Sequence, residues 1–136
     1  MKHLVVSVSL ALLLAGCGSS TSSSSSSSAT SLAPTSSSGD FAMTMSFDPS
    51  PPKQGTETIS ISVKDASGKP LRHAVVKAMI NMPAMSMSGP TLTFQDNGDG
   101  TYSAVTNMNY QTKWVLDVSA TATGKSGAAE FAQDVK

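Results

Sequence analysis

At 136 residues, with nine Lys+Arg against nine Asp+Glu and a single cysteine, the chain has room for one domain and carries no net charge. That balance offers no basic face to nucleic acid and no acidic tract to a cationic partner. One cysteine excludes an intramolecular disulfide, so any folded part must hold together by its core.

The chain opens with Lys2 and His3, followed by an apolar run over 4–14 broken by Ser7 and Ser9. A spanning helix needs about 20 apolar residues, so this run fits the hydrophobic region of a secretory signal instead. Leu14-Ala15-Gly16-Cys17 then sets small residues ahead of the cysteine and resembles a bacterial lipobox. That pattern implies a signal peptide over 1–16, cleavage before Cys17, and lipid on its sulfur and new amino group. Acyl chains contribute about 0.8 kcal/mol per buried CH₂, so several on one residue hold a protein to a membrane. The expected location is a bacterial membrane surface facing the periplasm or the cell exterior. Losing 1–16 removes Lys2, leaving eight basic against nine acidic residues and a charge of −1.

Residues 18–39 are dominated by Ser, Thr and Ala, with Pro34 and an unbroken serine run over 22–28. Such a stretch has too little apolar surface to offset its ordering entropy, which predicts a disordered linker over 17–39. About 20 flexible residues span on the order of 25 Å, or roughly 70 Å when stretched.

The folded part is expected over 40–136, about the size of an immunoglobulin-like β-sandwich. Phe41, Met43, Met45 and Phe47 alternate with small or polar residues, the period of a half-buried strand. Three prolines over 49–52 end it. Ile59, Ile61 and Val63 alternate along a second strand, and 65–70 reads as a turn. A third apolar segment covers 74–82. Residues 91–95 form a short strand, and Asp96-Asn97-Gly98-Asp99-Gly100 is a hairpin turn leading into a strand over 102–108. A calcium loop is a poorer reading of that turn, because glycines occupy two ligand positions and no glutamate follows. Trp114, Leu116 and Val118 alternate along the next strand, with Trp114 as a core anchor, and Phe131 marks the last. About seven short strands with no helical periodicity predict an all-β sandwich.

Within this frame Met82-Pro83-Ala84-Met85-Ser86-Met87 carries three thioethers in six residues, with Met79 upstream and Gly89-Pro90 behind. Pro83 lacks an amide donor and biases Met82 to extended backbone, which argues for a loop or strand end. Thioether sulfur is a soft ligand suited to Cu(I); methionine is also a flexible filler of irregular cores. Catalysis finds no support. With Cys17 acylated and His3 removed, His73 is the one imidazole left, and its place at a strand start suits a solvated histidine. No nucleophile–base pair, HExxH motif or phosphate loop occurs.

The order of these signals resembles the YtkA-like domain family, which is close to the FixH-like proteins. Lys64-Asp65-Ala66-Ser67-Gly68-Lys69-Pro70-Leu71 matches its strand-then-turn opening, and Ala74-Val75-Val76 its following strand. The 82–87 stretch is similar to the family's MPxMxM, 99–104 to its G-x-Y-x-A strand, and 114–118 to W-x-L-x-V. One step departs. Where the family has Met-x-Gly-x-Trp, this chain has Tyr110 and Thr112 before Trp114, with Met108 two residues earlier. The resemblance covers roughly 59–120. It implies an extracytoplasmic immunoglobulin-like sandwich, often lipid- or membrane-anchored, with roles in copper or other cation handling. On that basis Met82, Met85 and Met87 are candidate Cu(I) ligands of a chaperone or buffer, with Met79, Met108 or the Met43 and Met45 strand as further candidates. The alternative is a binding module without metal, whose methionines form a pliable apolar patch for a membrane or periplasmic partner protein.

Overall fold

The computed structural model describes residues 30–136, so the signal segment, Cys17 and the serine run lie outside the described residues. Nine strands and one short 3₁₀ turn make up the elements: β1 (Ser36–Gly39), β2 (Ala42–Asp48), β3 (Gly55–Lys64), β4 (Val75–Met82), the turn Pro83–Met85, β5 (Met87–Thr93), β6 (Gln95–Asp96), β7 (Thr101–Met108), β8 (Lys113–Ala122) and β9 (Lys125–Asp134). They form two antiparallel sheets, ordered β1-β9-β8-β4-β5 and β2-β3-β7-β6. The fold is the expected all-β sandwich. Among the described residues no helix is long and apolar enough to cross a membrane.

The alternation read from sequence is the alternation that packs. Met43, Met45 and Phe47 of β2, Ile59, Ile61 and Val63 of β3, and Leu116 and Val118 of β8 all point into one buried core. Beside Leu116 and Val118 in the same sheet, and facing β2 and β3, are Val76, Ala78, Ile80 and Met82 of β4 and Phe131 of β9. Trp114 is buried among them, as expected of an anchor between sheets.

Two features differ from the expectation. The folded part begins before Asp40: Leu32 exchanges two backbone hydrogen bonds with Met45 (2.6 and 3.0 Å), and Ser36–Gly39 pairs with Gly127–Glu130 of β9. A strand of serines carries no hydrophobic period, and its stabilisation comes from the backbone ladder alone. The predicted strand over 91–95 is also two strands. Phe94 is buried, donates its N–H to the Val76 carbonyl (2.9 Å), and marks where the chain leaves one sheet for the other. Both open sides of the sandwich are thus closed by chain that crosses between sheets, 32–39 on one side and 93–95 on the other.

The two ends of the sandwich are distinct. One carries the 65–69 and 96–101 turns. The other carries the 83–86 turn, the 109–112 connection, the 49–54 segment and the C-terminal residues. Here Gln54 donates its N–H to the Lys136 carbonyl (2.9 Å) and Val135 donates to that of Thr112 (3.0 Å).

Candidate metal centre at the methionine end

The 82–87 stretch is the tip of the β4–β5 hairpin. Pro83 opens the 3₁₀ turn, a position where no amide is required. Ser86 takes a left-handed conformation (φ 51°, ψ 37°) and donates its N–H to the Pro83 carbonyl (3.1 Å). The turn therefore reverses on Ser86. Gly89 lies inside β5, where a Cβ would stand 3.2 Å from Ile80.

Register decides which methionines can meet. Met79 opposes Thr91, but Asn81 opposes Ser88 and Met82 opposes Met87. Between these pairs β4 advances two residues while β5 advances three, so a bulge sits at 89–90. Its consequence is a change of face, since a one-residue slip turns every later side chain over. Without the bulge Met87 would point outward. With it, Met87 stands directly opposite Met82 on the inward face, where opposed Cβ atoms lie about 4.5–5.5 Å apart. Ser88 and Asn81 take the outward face, and the Ser88 hydroxyl donates to Asn81 Oδ1 (2.9 Å).

Neighbouring strands extend this row. Ile80 opposes Leu116 and Asn81 opposes Val115, so one further step sets Met82 beside Trp114. The Trp114 indole N–H donates to the Tyr110 carbonyl (2.9 Å), fixing ring and loop together. From the other sheet comes Met108, the last residue of β7, fully buried and opposed to Gly55 of β3. β7 ends where β4 ends, at the 83–86 end of the sandwich, so Met108 and Met82 belong to the same end of the core. Met82 is buried, Met85 and Met87 are 40% and 42% exposed, and the row runs from interior to solvent.

Not every candidate joins. Met79 is 50% exposed on the opposite face of β4 and cannot share an ion with Met82. Met85 sits on the 3₁₀ turn rather than on a strand, at the rim. Met108 and Tyr110, which an extended chain would set on one side, part company because β7 ends at Met108; Tyr110 is exposed. Met43 and Met45 belong to the core of β2. Among the described residues no group of three or more His, Cys, Asp or Glu is placed to hold a metal.

One residue escaped the reading of the sequence. Glu57 is 1% exposed on the inward face of β3, in line with Ile59 and Ile61. Its Oε1 accepts the Lys53 N–H (2.8 Å), while Oε2 is buried with no hydrogen-bond partner among the described residues. Leaving a buried polar group unpaired costs about 1–3 kcal/mol, and more for a charge. The signal was present: carrying the Ile59-Ile61-Val63 alternation back one step puts residue 57 inside.

The YtkA-like family model matches residues 35–119. This chain belongs to the YtkA-like family. The YtkA-like stretch begins at the pairing strand β1, further upstream than the resemblance read from motifs, and takes in Glu57, the methionine hairpin, Met108 and Trp114. Neither a curated protein nor a solved structure matches the chain.

Proposed function

We propose that this protein is a lipoprotein, anchored through Cys17 outside the cytoplasmic membrane, that binds copper as Cu(I) at the methionine end and serves as a chaperone or buffer. The observation that carries this reading is the opposed pair Met82 and Met87 on the inward face, with Met108 arriving from the second sheet. Thioethers are soft, neutral donors with the preference of Cu(I). Met85 at the rim is the capture ligand, and Met82 and Met108 lie deeper, so the ion moves from solvent towards a dry interior. Trp114, packed in the core, forms the wall beside Met82. The role is binding rather than catalysis.

Anaerobic titration with Cu(I) against a chromogenic competitor tests the proposal. One high-affinity equivalent is expected, with the Met82→Leu/Met87→Leu variant losing it while keeping its fold, because leucine matches methionine in volume. Unchanged affinity in that variant overturns the metal reading. It would favour the second one, an apolar docking patch for a membrane-protein partner, which draws on the exposure of Met85, Met87 and Tyr110 at this end.

A further inference from the structure

Thioethers alone leave a bound monovalent cation with its charge uncompensated inside a low-dielectric core, which buried charges tolerate only when paired. The methionine end holds one candidate for the missing charge. Glu57 lies on β3 opposite Thr106 of β7, one inward-facing step from the Gly55–Met108 pair. Its carboxylate is anchored at Oε1 by the Lys53 N–H, and Oε2 has no partner among the described residues. No Lys, Arg or His among the described residues pairs with it. Gly55, between Glu57 and the solvent end, adds no side chain, and a Cβ built there would meet nothing within 4 Å. A buried carboxylate oxygen without a donor, beside a buried thioether and an unfilled position, has the makings of half an ion pair.

We infer that Glu57 is the anionic member of the site, pairing through Oε2 with a soft monovalent cation held by Met108 and the Met82–Met87 pair. This rests on the proposed copper-binding reading and deepens it. The site then takes a +1 ion as a neutral unit, with sulfur setting the preference for a soft metal and the carboxylate setting the preference for charge. A purely structural Glu57, present only to tie down the 49–54 segment through Lys53, needs one oxygen and leaves the other without a role.

Glu57 and Glu130 are the only glutamates of the chain, so labelling glutamate with ¹³C at the side-chain carboxyl gives two signals. Glu130 is at the surface, accepting the Thr35 hydroxyl, and Glu130→Gln assigns the pair without touching the site. Titration of the full chain with Ag(I), a redox-inert soft monovalent probe, is expected to move the Glu57 carboxyl signal in step with the methionine methyl signals and to leave Glu130 in place. Glu57→Gln, which keeps the oxygen that accepts from Lys53, is expected to weaken Ag(I) binding by about thirtyfold or more, the scale of losing one member of a buried charge pair. Methionine methyl signals that shift while the Glu57 carboxyl stays fixed overturn the inference and leave the metal proposal standing. Methionine signals that do not move at all overturn both. The carboxyl readout uses the unsubstituted site and so decides the matter even if Glu57→Gln fails to fold.

Discussion

At the turn end of the sandwich Asp65, Asp96 and Asp99 have their donors, whereas at the methionine end one oxygen of a buried carboxylate does not. Asp65 Oδ1 accepts from the Ser67 hydroxyl (2.6 Å) and from the backbone of Ser67 and Lys69 (2.8 and 3.0 Å). Asp99 Oδ1 accepts twice from Thr101 (2.6 and 2.8 Å), and Asp96 accepts from the backbone of Gly98 (2.8 Å) and His73 (2.9 Å). Beneath them the Tyr102 hydroxyl donates to the Leu71 carbonyl (2.7 Å) and accepts the Ala74 N–H (3.0 Å), fastening the β3–β4 crossover to the other sheet. The methionine end has soft sulfur, an exposed rim and a carboxylate oxygen without a donor. Saturated hydrogen bonding is what a purely structural end needs; lone pairs left over are what a binding end can offer to something else.

If that contrast is right, substitutions at the turn end cost stability and those at the methionine end cost binding. The largest stability loss is expected from Gly100→Ala. Gly100 has φ +89°, and a Cβ there would lie 2.5 Å from that of Pro70. Left-handed strain and overpacking together predict about 2–4 kcal/mol, read by chemical denaturation. Tyr102→Phe strands the Leu71 carbonyl and the Ala74 N–H and is expected to cost about 1–3 kcal/mol with no change in Cu(I) affinity. Met87→Leu, at a half-exposed position, should stay within about 0.5 kcal/mol of the parent in stability while lowering Cu(I) affinity, a separation that a structural methionine would not show.

The smallest effect is in acid. The Ser67 hydroxyl bond holds Asp65 below the usual carboxylate range, the Gly98 amide does so for Asp96, and the Thr101 hydroxyl for Asp99. Each folded-state value lies below the unfolded one, so the stabilisation is fully present above about pH 4 and fades as pH falls through the lower folded values. Thermal unfolding midpoints should be level from pH 7 to 5 and decline below 4, and Asp99→Asn should flatten that decline.

Strands whose apolar residues alternate were legible from sequence because burial on one face of a sheet imposes a period of two. The 96–100 turn was legible because Asn-Gly supplies the backbone that a tight reversal needs. β1 was not, since Ser36–Gly39 pairs through backbone alone and carries no apolar signal. The methionine stretch announced itself by composition, but which sulfurs converge depends on the bulge at 89–90, and a bulge is a property of pairing between strands rather than of either strand. That single extra residue brings Met87 to Met82 and separates both from Met79. Glu57 was legible only as the next inward position of the Ile59-Ile61-Val63 row, and its charge is what disguises it there.

Methyl resonances offer the most direct test, since the chain supplies its own controls. With methionine labelled at the ¹³C-methyl and the protein titrated with Ag(I), the signals of Met82, Met87 and Met108 should move together and saturate at one equivalent. Those of Met43, Met45 and Met79, in the core of β2 and on the outward face of β4, should stay where they are. Shifts confined to Met79 and Met85, or no saturable shift in Met82 and Met87, would contradict a sulfur site between the two sheets.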